Sequence, residues 1–340
     1  MRFFGKKEND KNKLSSGYAY FAKNDYENAI IGFQKDLAQN PQNFESHKGL
    51  GLCYLKILEL QNSYLIFKDK SLENIPEPWN AKFNLTVDGL VHRKLSTNDN
   101  FKKYIKYFEE SDFLSNAANF EFNEALRLQP DNFDLHYLIS LVYLEIGDLN
   151  SALYEIKKSL QINPTFFEGF FLAADILSCS EEFDSSLEYY DKAFKIDSNN
   201  FELWRHYALT LEDAERFEET LKAYDKARDI YQYHNTELLF RSSQVLSRLG
   251  AHEGAIKFLD KILKVEIDNA YFLFHKAIEL QFILNYKEAL KIIDKILKID
   301  KNPKNEINYL LKKAELLGQL GKDDEALKYY DKANSLKSDN

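Results

Sequence analysis

The 340-residue sequence has little of what punctuates or cross-links a chain: 12 glycines, 6 prolines and 2 cysteines. Cys53 and Cys179 lie far apart with no motif around either. That excludes a disulfide framework and points to a reducing, cytoplasmic home. No apolar run approaches the roughly 18 residues of a membrane span; the stretch 139–144 is among the longest. Residues 1–9 carry Arg2, Lys6 and Lys7 around Phe3 and Phe4, without the continuous apolar core of a secretory signal. They are expected to form a flexible basic tail.

Chemical signatures are equally scarce. There is no glycine-rich phosphate loop, and none of the seven histidines forms a ligand-spaced pair. Cys179 has no companion histidine or second cysteine that would make it a nucleophile. The expectation is therefore a non-enzyme with no catalytic residue, no metal and no cofactor. A net charge of −9 lacks the clustered basic face that nucleic acid demands. Acidic residues alternate with lysine at helical spacing, the pattern of a solvated face.

What the chain does contain is repetition. The segments LEYYDKAFKI at 187–196 and LKAYDKARDI at 221–230 lie 34 residues apart, and LKYYDKANSL recurs at 327–336. A 34-residue frame set on them starts repeats near Asp10, Phe44, Asp99, Phe133, Phe167, Phe201, Thr236, Ala270 and Ile307. Position 20 of that frame is small throughout: Ala29, Ser63, Ala118, Ala152, Ser186, Thr220, Ala255, Ala289 and Ala326. Position 8 is Gly17, Gly51, Ser140, Ala174, Ala208, Ser243, Ala277 and Ala314, with Lys106 the exception. Position 24 is large: Phe33, Phe67, Phe122, Ile156, Tyr190, Tyr224, Leu259, Ile293 and Tyr330. Small residues at 8 and 20 let two helices of a hairpin approach, and the bulk at 24 fills the space beside them. Gly147, Gly250 and Gly321, all at position 15, end the first helix; Pro41, Pro130 and Pro164 follow the second.

This pattern resembles the tetratricopeptide repeat, with about nine tandem copies covering nearly the whole chain. Trp204, Ala208, Tyr224 and Ala227 in one repeat, and Tyr143, Ala152, Ile156 and Pro164 in another, carry the likeness. The resemblance implies an all-α fold, a right-handed α-solenoid (superhelix) of antiparallel helix pairs. The expected organisation is repeats one and two at 10–77, an inserted helix at 78–98, and repeats three to nine at 99–340. The insertion opens with Pro76 and Pro78 and has Trp79, Phe83, Val87 and Leu90 at helical spacing. In the last repeat Asn334 stands where six others have Leu or Phe, while Leu327 and Leu336 remain, so a partly exposed apolar end is expected.

In this family the first helices line a concave groove. Carried over position by position, the resemblance implies a peptide-binding surface of Asp134, Tyr137, Leu141, Glu145, Glu168, Phe171, Asp175, Arg205, Leu209, Glu212, Phe240 and Arg248. Such a surface suits a basic or amphipathic protein segment, with aromatics as anchors and carboxylates steering the encounter. A basic clamp known in one branch of the family is not matched: Lys48 occupies its first position, but Leu52 replaces the asparagine that should follow. The implied function is a cytoplasmic interaction scaffold without a membrane span. Weak homo-oligomerisation through the last repeat and service as a regulatory subunit of an enzyme are the alternatives.

Overall fold

The computed structural model describes residues 16–68, 111–231, 235–300 and 302–338. The expected basic tail and the expected helix at 78–98 lie outside them, as does the first helix of the repeat set at Asp99. The described residues hold helices joined by turns, and no strand. They divide into two compact units, residues 1–198 and 199–340.

In the first unit, α1 (Ser16–Phe21) pairs with α2 (Tyr26–Gln39) and α3 (Phe44–Lys68) with α4 (Ser111–Leu128). Two further hairpins follow, α5 (Phe133–Glu145) with α6 (Leu149–Ile162), and α7 (Phe167–Cys179) with α8 (Phe183–Phe194). In the second unit the hairpins are α9 (Phe201–Asp213) with α10 (Phe217–Ile230), α11 (Thr236–Arg248) with α12 (His252–Leu263), α13 (Ala270–Phe282) with α14 (Tyr286–Ile299), and α15 (Pro303–Gln319) with α16 (Asp323–Ser338). Within each unit every hairpin also packs on the next. Each unit is thus an α-solenoid of helix pairs, the class the resemblance implied.

The expected small-to-large contacts are the seams of these hairpins. A Cβ on Gly17 would lie 2.6 Å from the Phe33 ring, and one on Gly51 would lie 2.5 Å from Phe122. Ser140 Oγ donates to the Ala152 carbonyl at 2.9 Å, and Ser186 Oγ to that of Ala174 at 2.7 Å. Ile156, Tyr190, Tyr224, Leu259 and Ile293, all at position 24, are buried.

Position 15 is left-handed in seven hairpins. Gly147, Gly250 and Gly321 have φ of 80°, 73° and 72°, and Asn24, Glu181, Glu215 and Leu284 stand there with φ of 57° to 61°. The turn geometry thus persists whether or not glycine supplies it. Asparagine opens many of the first helices: the side chains of Asn132, Asn200, Asn235 and Asn269 accept backbone N–H groups of the first turn.

The second hairpin departs from the 34-residue frame. That frame places a turn near Leu58, yet α3 continues unbroken to Lys68. Its partner is α4, the helix the frame assigns to the following repeat. A register check agrees: His47 contacts Glu121 across α3 and α4 at 2.6 Å, and His136 contacts Glu155 across α5 and α6, also at 2.6 Å, from equivalent positions. Residues 69–110 therefore separate the two helices of one hairpin. The last hairpin departs less, since α15 begins at Pro303, four residues ahead of the frame.

Candidate functional site

In the first unit, four of the expected surface residues form one stripe along α5. Asp134 at its start pairs with the Lys48 ammonium of α3. Tyr137 is only 7 % exposed, its ring edge-on to Phe166 with centroids 5.2 Å apart. Leu141 packs partly buried against the unit's core. At the end of the stripe Glu145 accepts the Asn62 side-chain amide at 2.8 Å, and that amide also reaches the Glu145 carbonyl at 2.7 Å. Burial pushes the Glu145 carboxyl up to about 7; the Asn62 hydrogen bond and Lys56 oppose the rise, while Glu59 adds to it.

On α7, Glu168 is exposed, Phe171 is half-buried 6.1 Å from the Tyr190 ring, and Asp175 accepts the Tyr190 hydroxyl at 2.6 Å. Burial and then the carboxylates of Glu168, Asp134, Glu59 and Asp175 push the Tyr137 phenol well up. The α5 and α7 stripes thus act electrostatically on one hydroxyl.

In the second unit the expected residues serve the packing more than the surface. Glu212 is buried on α9, where it accepts the Tyr224 hydroxyl at 2.7 Å and faces Arg241 at 3.6 Å and Arg248 at 3.8 Å. Leu209 is buried one turn before it. Arg205 bridges Glu202 at 2.7 Å and Glu237 of α11 at 3.7 Å. Phe240 is buried among Tyr271, Phe272 and His275, with ring centroids 4.9 to 5.3 Å away. Burial in that aromatic nest pushes the His275 imidazole down to about 4, so it is neutral at pH 7. Arg248 is exposed and lies over the Phe217 ring.

A shallow cleft of the second unit lies further along. A cleft of about 550 Å³ is lined by Phe274 and Ile278 of α13, Asn308, Leu311, Lys312 and Glu315 of α15, and Tyr330 of α16. Phe274, Ile278, Leu311 and Glu315 hold positions 5 and 9 of their repeats, the same positions that define the stripes on α5 and α7. The sequence signal was present; the expectation stopped at the seventh repeat. Along the rim, Lys312 reaches Glu315 at 2.7 Å and Gln281 at 3.1 Å, and Gln281 donates to Glu315 at 2.6 Å. The last hairpin leaves Leu327 59 % exposed, as its position in the final repeat implied.

Among the described residues no three His, Cys, Asp or Glu side chains converge to hold a metal, and no helix is long and apolar enough to cross a membrane. Burial pushes the Cys53 thiol up, away from reactivity.

The sequence profile described as Tetratricopeptide repeat matches residues 133–166 and 307–340. The chain thus carries tetratricopeptide repeats at these two places, within a helix-hairpin solenoid of the kind such repeats build, and proteins with this repeat generally serve as interaction scaffolds. The C-terminal part of a TPR repeat-containing protein from Cytophaga hutchinsonii is similar in fold, at 14% identity and a TM-score of 0.54, covering 63% of this chain and 88% of that one. A tetratricopeptide repeat protein from Parabacteroides merdae aligns at 13% identity and a TM-score of 0.46, covering 68% of this chain and 90% of that one. YrrB, described as a TPR protein with an unusual peptide-binding site, aligns at 20% identity and a TM-score of 0.44, covering 54% of this chain and 93% of that one. Comparison with curated protein sequences gives no match.

Proposed function

We propose that this chain is a non-enzymatic scaffold, resident in the cytoplasm, that holds an extended or helical segment of another protein against its first helices. The cleft between α13, α15 and α16 carries this reading. It offers aromatic and aliphatic walls with a short polar rim, the composition in which a few buried anchors supply most of a binding energy. Its wall positions repeat at the spacing of the hairpins, so a bound segment would meet equivalent residues at regular intervals. An amphipathic segment with apolar anchors and a basic residue fits the cleft with its Glu315 rim.

A photocrosslinking residue at Asn308 tests the reading in native lysate, with the same residue at the exposed Tyr154 as control. The reading predicts a discrete protein adduct at Asn308 that is absent at Tyr154 and is lost with Phe274→Ala plus Leu311→Ala. Adducts that are the same at both positions would overturn it.

Leu327, exposed on the last hairpin, favours a second reading: self-association through that end. Analytical ultracentrifugation of wild type and Leu327→Lys across a range of concentrations separates the two, since only self-association makes the mass concentration-dependent.

A further inference from the structure

We propose that the edge of the second unit where α12 passes into α13 and α14 ends rests on the surface of an anionic lipid bilayer. Val265 and Ile267, in the connection after α12, are 65 % and 63 % exposed. Ile299, the last residue of α14, is exposed as well. The two places are neighbours: the Lys295 ammonium, one turn before Ile299, meets the Asp268 carboxylate at 2.8 Å and the Ile267 carbonyl at 3.4 Å. Such exposure withholds Val265 and Ile267 from the core. Leu128, Ile162, Ile196 and Ile299 hold the Val265 position in their repeats and are each less exposed, while Ile267 stands where other repeats have Pro41, Pro130 and Pro164. The connection is also pinned. The N–H groups of Val265 and Glu266 both donate to the Ile262 carbonyl at 3.0 Å, and that of Asn269 donates to the Glu266 carbonyl at 3.2 Å.

Charge supplies the second argument. Glu266, Asp268 and Asp300 are all engaged within the fold. Glu266 accepts the Thr236 hydroxyl at 3.0 Å and the Asn269 amide at 2.7 Å, and Asp268 pairs with Lys295. Asp300 accepts the Tyr309 hydroxyl at 2.8 Å and the Asn305 amide at 3.0 Å. Lys264 and Lys298, next to Val265 and Ile299 in the chain, are exposed and make no ion pair among the described residues. Their ammoniums suit anionic headgroups, and the aliphatic tips suit the acyl boundary beneath. A protein partner would have to bring a pocket for each protruding tip, whereas a bilayer yields wherever they fall. The net charge of −9 does not oppose this contact, because salt screens charges beyond about 8 Å. Attachment through so few groups is weak and reversible.

The test sediments the full chain with vesicles of phosphatidylcholine alone, or of equal parts phosphatidylcholine and phosphatidylserine. The wild type is expected to pellet with the mixed vesicles and roughly tenfold less with the neutral ones. Val265→Ser plus Ile267→Ser, and separately Lys264→Glu plus Lys298→Glu, are each expected to weaken binding to the mixed vesicles about tenfold. Lys222→Glu plus Lys226→Glu makes the same charge change on exposed side chains of α10 and is expected to stay within about twofold of the wild type. Circular dichroism confirms that all three variants keep their helices. A wild type that stays in solution, edge variants that pellet as it does, or an α10 variant that loses as much as they do would each overturn the proposal. A photocrosslinker at Ile267 that yields a discrete protein adduct in native lysate, beside a wild type that ignores vesicles, would make the edge a protein-docking surface instead.

Discussion

The imidazole of His47 and the carboxylate of Glu121 meet at 2.6 Å although 74 residues lie between them in sequence. The other ring nitrogen, Nε2, faces the Pro41 carbonyl at 2.9 Å, an acceptor only, so Nε2 must carry a proton. The ring is thus fixed between two acceptors, and it locks α3 to α4 in the register that His136 and Glu155 use for α5 and α6.

Removing the carboxylate tests that lock. Glu121→Gln is expected to lower stability by about 1.5–3 kcal/mol, the range for a hydrogen bond to a charged partner. Urea denaturation of Glu121→Gln, His47→Gln and the double variant should show the losses to be less than additive. Additive losses would mean the two residues act separately.

Leu284 occupies the turn position where three other hairpins place glycine, at φ 60° with 70 % of its surface exposed. A left-handed leucine costs about 1–2 kcal/mol, part of which glycine returns through its freer unfolded chain. Leu284→Gly is therefore expected to raise the urea midpoint, by roughly 0.5–1 kcal/mol of stability. Gly250→Leu, the reverse change in the preceding hairpin, should lower it. A Leu284→Gly variant that unfolds earlier than wild type would refute the strain argument.

Glu145 makes the first unit sensitive to pH. Its carboxyl titrates near 4.5 when unfolded and at about 7 in the fold. Between those values the native state keeps a proton that the unfolded state has released, so stability falls as pH rises through this window and levels off above it. Glu145→Gln, which cannot ionise, should flatten that part of the profile and be more stable than wild type at pH 8. Urea midpoints at pH 5 and pH 8 measure this; identical pH dependence in the two proteins would exclude Glu145 as the cause.

The Glu212 cluster in the second unit makes a different prediction. Tyr224→Phe removes one hydrogen bond and should cost about 1 kcal/mol. Glu212→Ala removes the carboxylate facing buried Arg241 and should cost about 3 kcal/mol, the low end of the range because Glu237 remains 3.4 Å from that guanidinium. Thermal unfolding followed by circular dichroism compares them, and equal losses would deny Arg241 its dependence on Glu212.

Most of the fold was legible because helix-hairpin packing is a local affair. Gly17 beneath Phe33, or Ala174 beneath Ser186, requires particular sizes at particular spacings, and those sizes survive in the sequence whatever else varies. The pairing of α3 with α4 was not legible in the same way. Both helices carry the right sizes, Gly51 and Phe122 among them, but spacing alone cannot reveal that 69–110 intervene inside one hairpin. Ser63 and Phe67 satisfied the frame by type, and a continuous helix suits them equally well.

The surface was less legible than the core. Tyr137, Leu209, Glu212 and Phe240 hold first-helix positions that the resemblance assigns to a groove, and the structure buries all four. Aromatic and charged residues at these positions can serve a ligand or a neighbouring helix, and nothing in a 34-residue period separates the two. What decides is the partner across the gap: Tyr224 and Arg241 for Glu212, the Tyr271 and His275 rings for Phe240.

The α3–α4 hairpin also sets an order of assembly. In every other hairpin the two helices are joined by a short turn, so their meeting is a local search that costs little chain entropy. Contacts of high sequence separation form more slowly than those across a short turn. The seven short hairpins can zip independently as the chain emerges, while α3 must wait for α4 to be made and then find it. Gly51 and His47 are the residues that meet α4, and Lys48 reaches on to Asp134 of α5.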